Sequence, residues 1–197
     1  MTKKIIIFNG PQGCGKTVAM SAVGSHLYNR NISSRVMDMS RPLKEAAHAL
    51  VGTKDHWDKF DHGDNRKDKD EPHPLMFGRT PRDMYIDMNT AVTKLYNDAF
   101  LVNVMCNVIN NTPVDVIMLN CGVHQEAQIL VETFGKDNVF VLELERKGFD
   151  FIDYREYIGS KLTCKSKRVP NFENEKRLFY DMCIVMVGKY LQKDLGV

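Results

Sequence analysis

The chain has 197 residues, 43% of them hydrophobic and 26% charged, with a formal net charge of +2. This is the balance of an ordinary globular domain with one sizeable core. It offers no broad basic field for nucleic acid or a membrane surface, and no apolar run approaches the ~18 residues of a membrane span. The five cysteines, Cys14, Cys106, Cys121, Cys164 and Cys183, form no CxxC pair and no zinc spacing. They fit reduced thiols in a cytosol. Met-Thr-Lys-Lys before the first apolar run is too short for a signal peptide, so a cytoplasmic location is expected.

Ile5-Ile6-Ile7-Phe8 is a short β-branched run that predicts a buried strand. Gly10-Pro11-Gln12-Gly13-Cys14-Gly15-Lys16-Thr17 follows and fits G-x-x-x-x-G-K-[ST], the phosphate-binding P-loop. Glycines let the backbone turn tightly and approach an anion. Backbone N–H groups and the positive end of the next helix then face it. Lys16 is placed for the β- and γ-phosphates, and Thr17 for Mg²⁺. Gln12 and Cys14 complete the loop. Cys14 is expected as a passive small residue, although a helix N-terminus lowers thiol pKa values. The motif implies a nucleoside triphosphate, here ATP, with Mg²⁺ as cofactor.

Val18 to Arg30 predicts a helix with Val18, Ala19, Ala22, Val23 and Leu27 on one face. Arg35 to Met39 predicts a second strand. Ser40 is a candidate cap, with Pro42 in the first turn of a helix from Leu43 to Val51 that closes at Gly52. Thr53 to Pro74 is dense in Asp, Lys and His, with Trp57 and Phe60 as its anchors. Residues 53–78 are read as a charged, mobile excursion. His56, His62 and His73 match no metal-ligand spacing. Thr80 and Pro81 then open a long helical pattern to about Asn110, with Asn97-Asp98 as a break point. Met84, Met88, Val92, Leu95, Ala99, Val102, Met105 and Ile109 recur at core-facing steps.

Val114 to Asn120 predicts a third strand, Gln125 to Phe134 a helix closed by Gly135, and Val139 to Leu144 a fourth strand. Residues 147–169 are polar and mixed, and Gly148 and Gly159 suggest a hinged segment. A last amphipathic helix runs from Asn171 to Gln192, with Leu178, Met182, Val185, Met186 and Leu191 inward. The alternation predicts one α/β domain over 1–197. It is a three-layer P-loop fold, with a mainly parallel sheet flanked by helices. Ligands in such sheets bind at the carboxyl ends of strands.

Four motifs in order resemble the nucleoside monophosphate kinases, and most of all the phage-type deoxynucleoside monophosphate kinases. They are the P-loop; Ser40-Arg41-Pro42-Leu43-Lys44-Glu45-Ala46, similar to "x-D-P-L-K-x-A"; Arg79-Thr80-Pro81-Arg82, similar to "T-P-R"; and Asn120-Cys121-Gly122-Val123-His124-Gln125-Glu126-Ala127, similar to "D-V-R-F-x-x-E-A". Val169-Pro170-Asn171-Phe172 resembles the family's ending. Asn120 stands where the family has Asp, Gly122 where it has Arg, and Arg41 where Asp is usual. The resemblance implies ATP- and Mg²⁺-dependent phosphoryl transfer to a (deoxy)nucleoside monophosphate. It also implies helices around 79–110 that bind the acceptor, and a lid at 147–169. If phage-encoded, the chain would work in a bacterial host's cytoplasm, on small nucleotides, as a monomer or homodimer.

Transfer between phosphates needs cations and positioning more than a general base, and Arg binds phosphate oxygens in pairs. Arg79 and Arg82 flank a helix start and are candidates for the acceptor phosphate. Arg41 is a third, and Asp38 is a candidate for base or ribose. Lys16, Arg82, Arg146 and Arg155 form the expected catalytic set, the last two as lid residues. The alternative for Arg146 and Arg155 is a surface ion pair with Glu145 or Glu156. Tyr85 and Phe77 are aromatic candidates for base stacking, although core roles are commoner. Glu126 suits an early helix position without catalysis. Another small-molecule P-loop kinase and a non-kinase nucleotide-binding switch are the rival readings. The switch reading lacks "N-K-x-D" and a carboxylate at Asn120.

Overall fold

The computed structural model describes residues 3–52, 70–172 and 175–196. It contains strands β1 (Lys4–Asn9), β2 (Ser34–Asp38), β3 (Val116–Asn120), β4 (Val139–Glu145) and β5 (Lys165–Pro170). The helices are α1 (Lys16–Asn29), α2 (Arg41–Leu50), α3 (Pro81–Leu95), α4 (Phe100–Asn111), α5 (His124–Phe134) and α6 (Lys176–Leu195). Short 3₁₀ turns lie at Pro74–Met76 and Gly159–Lys161. No helix among the described residues is long and apolar enough to cross a membrane.

The five strands form one sheet in the order β2-β3-β1-β4-β5, and every pairing is parallel. This is the α/β class expected, a parallel sheet flanked by helices. Parallel strands are covered on both faces, so a central one reads as a continuous apolar run. Ile5, Ile6, Ile7 and Phe8 of β1 are all fully buried, and burying each contributes roughly 1.5–3 kcal/mol before chain entropy is charged against it. Ile6 lies in register with Met118 of β3 and Phe140 of β4. On that face the core continues into Ala19, Met20, Val23 and Leu27 of α1 and Phe179, Cys183, Val187 and Leu191 of α6.

Three helix faces differ from expectation; in α3, Leu95 is exposed and Met84, Met88 and Val92 are only partly buried. In α6 the buried stripe is Phe179-Cys183-Val187-Leu191, while Leu178 and Val185 are exposed. Apolar residues surround this helix, so the pattern alone does not set its rotation; packing against α1 does. In α1, Val18 is exposed and Met20 takes its place in the core. The long central pattern is two helices, broken between Leu95 and Phe100 as the Asn97-Asp98 pair suggests.

β5 is the element the residues did not announce. Residues 165–169 of the expected lid region belong to the sheet, paired from Phe140↔Lys165 to Glu145↔Pro170. The chain divides into two compact units, Met1–Asp38 with Cys106–Val197, and Met39–Met105, where length alone suggests one. The first holds the whole sheet. Of the charged excursion, residues 53–69 lie outside the described residues, and so do His56, Trp57, Phe60 and His62.

Within the second unit, α2 and α3 are tied by a buried polar contact. His48 is fully buried, and its Nε2 lies 2.6 Å from the Tyr85 hydroxyl. The Lys44 ammonium sits 5.9 Å from the centre of the Tyr85 ring. α3 begins as its residues specify. Thr80 Oγ1 accepts from the Asp83 N–H at 3.0 Å, Asp83 Oδ2 accepts from the Thr80 N–H at 3.3 Å, and Pro81 takes the first turn. The Thr80 hydroxyl, 2.8 Å from Oδ2, and the Thr80 N–H hold the Asp83 carboxyl below the usual carboxylate range.

Candidate functional site

The P-loop leaves the carboxyl end of β1, the central strand, where the chain's connections turn from one side of the sheet to the other. Its glycines are needed individually. Gly10, Gly13 and Gly15 have φ of 152°, 84° and 104°. A Cβ on Gly10 would lie 2.4 Å from the Leu144 carbonyl oxygen, and one on Gly13 would lie 2.4 Å from the Phe149 ring. Gly15 caps α1 in the left-handed region, so the helix starts at Lys16. Gln12 and Thr17 are exposed. The Lys16 ammonium donates to the Gly10 and Pro11 carbonyls, both at 2.7 Å. The Cys14 side chain is turned into the core, and burial pushes its thiol pKa up despite Lys16. Its sulfur lies 3.9 Å from Lys16 Nζ.

Side chains from the far end of the chain brace this loop. Asn171 Nδ2 donates to the Cys14 carbonyl at 2.8 Å. Arg146 Nη1 donates to the Gly13 carbonyl at 3.2 Å, and its guanidinium lies 4.5 Å from the Phe149 ring centre. Arg146 is thus brought onto the P-loop itself. Asn171 and Phe149 were not singled out from the residues, because both contacts cross more than a hundred positions of chain.

A second group gathers at the carboxyl ends of β1, β3 and β4. Asn9 is fully buried. Its Nδ2 donates to the carbonyls of Cys121 at 3.1 Å and Glu156 at 2.9 Å, and its Oδ1 accepts from the Ile158 N–H at 3.3 Å. Buried Glu143 accepts from the Gly159 N–H at 2.7 Å and pairs with Arg168 at 3.0 Å. Arg168 also lies 4.1 Å from the Tyr157 ring centre. The Tyr157 hydroxyl donates to the Leu144 carbonyl at 3.2 Å, and burial pushes its pKa up to about 12. Gly159 is therefore no hinge: its N–H is held, and a Cβ there would lie 2.7 Å from Ser166 Cβ.

Arg155 rides on this anchored segment. Its Nε donates to both Asp153 oxygens at 2.9 Å, which holds the Asp153 carboxyl below its usual range. The aliphatic stem lies over Gly122, where a Cβ would come within 3.1 Å of it. Beside it, the Cys121 thiol donates to Glu126 Oε2 at 3.5 Å. Burial raises the pKa values of both groups.

The remaining candidates are Asp38, Arg41, Arg79 and Arg82. Asp38 ends β2 in register with Asn120 of β3, so the carboxylate absent from position 120 has a neighbour one strand over. Arg41, Arg79 and Arg82 belong to the 39–105 unit. Arg41 opens α2 and pairs with Glu45 at 2.7 Å, Arg79 pairs with Asp87, and Arg82 pairs with Asp70. Phe77 is exposed in the left-handed region at φ 57°, and Tyr85 is engaged by His48 and Lys44.

The loop fits a nucleoside triphosphate on its own geometry: three glycines at positive φ, a helix N-terminus and an ammonium. Mg²⁺ would have the exposed Thr17 hydroxyl together with phosphate and water oxygens. Among the described residues no cluster of three His, Cys, Asp or Glu side chains offers an all-protein metal site.

No protein-family model matches the chain, and no curated protein matches it. Among solved structures it is similar to a sugar kinase from Janibacter, with 9% identity, 98% and 97% of the two chains covered, and a TM-score of 0.44. It is similar to APS kinase from Mycobacterium tuberculosis in complex with AMPPNP and APS, with 14% identity, 94% and 98% coverage, and a TM-score of 0.43. It is also similar to shikimate kinase from Bacteroides thetaiotaomicron, with 13% identity, 96% and 98% coverage, and a TM-score of 0.41.

Proposed function

We propose that the chain is a P-loop kinase that transfers the γ-phosphoryl group of ATP, with Mg²⁺, to a small acceptor of the (deoxy)nucleoside monophosphate class. The observation that carries this reading is the Gly10–Thr17 loop. It leaves the carboxyl end of the central strand, with glycine wherever a Cβ would collide and with Lys16 opening α1. ATP would supply the phosphoryl group, and Mg²⁺ would neutralise charge on it. The loop N–H groups bind and orient the phosphates. The three ammonium donors of Lys16, which hold two loop carbonyls, serve phosphate oxygens equally well. Arg146, braced on Gly13, and Arg155, beside Gly122, supply the cations that transfer demands. Arg82, with Arg79 and Arg41, is assigned to the acceptor phosphate, since the Thr80-Pro81 helix start suits an anion. Asp38 is assigned to the acceptor's base or ribose.

The deciding experiment measures ADP release from ATP across ribo- and deoxyribonucleoside monophosphates and a set of non-nucleotide acceptors. Turnover with one or more monophosphates is expected. Turnover only with the non-nucleotide acceptors would retain the kinase and discard the acceptor class.

A further inference from the structure

We infer that Asn9 is a positioning residue: it ties the strap Arg155–Ile158 across the carboxyl ends of β1 and β3, so that Arg155 meets the P-loop's anion as a fixed cation and not as one delivered by a moving lid. The inference rests on the kinase reading for the anion and for the role of Arg155 toward it. The tie itself is a matter of bonds.

Asn9 immediately precedes Gly10, and Glu156 immediately follows Arg155. One side chain joins them. Its two amide hydrogens go to the Cys121 and Glu156 carbonyls, and its oxygen takes the Ile158 N–H. A fully buried amide with both ends satisfied is costly to replace, because truncation strands the partner groups. The strap has further bonds on either side. Its Glu156 N–H donates to the Gly122 carbonyl at 3.1 Å, and the following Gly159 N–H donates to buried Glu143 at 2.7 Å. Asn9 of β1, Glu143 of β4 and Gly122 just past β3 thus hold Glu156, Ile158 and Gly159. Arg155 is oriented from two sides, by Asp153 along its Nε–Nη2 edge and by the surface of Gly122 under its stem. The absence of a side chain at position 122 is what makes room for it. Such fixation lowers the reorganisation needed when charge develops on a phosphoryl group.

The test uses the full chain. Asn9→Ala removes the tie, and Asn9→Ser serves if that variant fails to fold. Gly122→Val displaces the Arg155 stem by an independent route. Hydrogen exchange on nucleotide-free protein should show the Glu156, Ile158 and Gly159 amides of the Asn9 variant exchanging at least about tenfold faster, with β1 and β4 amides unchanged. Loss of protection spread evenly over β1, β4 and the strap would overturn the inference, since Asn9 would then serve only general stability. Calorimetric titration with MgATP supplies the second readout. Asn9→Ala, Gly122→Val and Arg155→Ala should each weaken binding about five- to tenfold, and neither of the first two should weaken it further in an Arg155→Ala background. Losses that multiply in the double variants would overturn the coupling. MgATP binding unaffected by Lys16→Ala would instead overturn the P-loop reading and leave the exchange result standing.

Discussion

Asn9, Glu143 and Asn171 of the sheet unit are held differently from the arginines of the 39–105 unit. Buried Asn9 and Glu143 and partly buried Asn171 each hold a main-chain group of another segment. In the 39–105 unit Arg79 and Arg82 are exposed and pair with exposed Asp87 and Asp70, and partly buried Arg41 pairs with Glu45. Burying a polar group without its partner costs a full desolvation penalty, whereas an exposed ion pair is worth about 0–1 kcal/mol. The first arrangement fixes geometry when the chain folds. The second contributes little to the geometry of the fold.

Substitutions can break this contrast. The largest effect is expected from Lys16→Ala, which should lower turnover by at least about 10²–10³-fold while the circular dichroism spectrum and melting behaviour stay close to those of the parent. Near-normal turnover would remove the P-loop from the chemistry. Gly10→Ala comes next. Its Cβ meets backbone at Leu144, not a mobile side chain tip, so a loss of about 3 kcal/mol or more is expected in denaturant unfolding. Arg82→Ala should leave stability nearly unchanged, because its Asp70 partner is also exposed, and should raise KM for the monophosphate about tenfold. A rise confined to the KM for ATP would move Arg82 to the donor side.

The smallest effect concerns Glu126. Burial raises its pKa above the ordinary 4.5, so the folded chain binds that proton more tightly than the unfolded chain does. Its contribution to stability is greatest on the acid side. It falls as the pH climbs from 4.5 through the raised folded value. Glu126→Gln should flatten that decline and melt higher than the parent at neutral pH. An unchanged pH profile of Tm would show that the carboxylate carries no such strain.

What the residues disclose follows from how local the physics is. β1, β3 and β4 are buried on both faces and announce themselves as apolar runs. The P-loop is a spacing of glycines, and Thr80-Pro81 is a cap followed by a first-turn proline. β5 has none of these: Lys165-Ser166-Lys167-Arg168 is polar at a sheet edge, and it is a strand because β4 offers it a backbone. Asn9 reads as the polar end of a strand, and its three partners lie far along the chain. The rotation of α6 was illegible for a different reason: Leu178 and Val185 are as apolar as the residues that are buried. Long-range bonds and helix phase escape a reading of neighbours. So the lid region 147–169 gave no sign that a strap and an edge strand fill its second half.

The strand order also governs when the loop can come into being. Central β1 is made first, yet its two neighbours are β3 and β4, with Lys4 matched to Val116 and Ile5 to Val139. The Cys14 carbonyl waits longer still, for Asn171. A chain emerging from the ribosome therefore carries its nucleotide motif exposed and unpaired through most of synthesis. Sheet closure is a slow, non-local event of the kind that leaves strands open to aggregation. Nucleotide added to a folding reaction should accordingly act on the last step, by trapping the finished loop, and should do little for fragments that stop before β5.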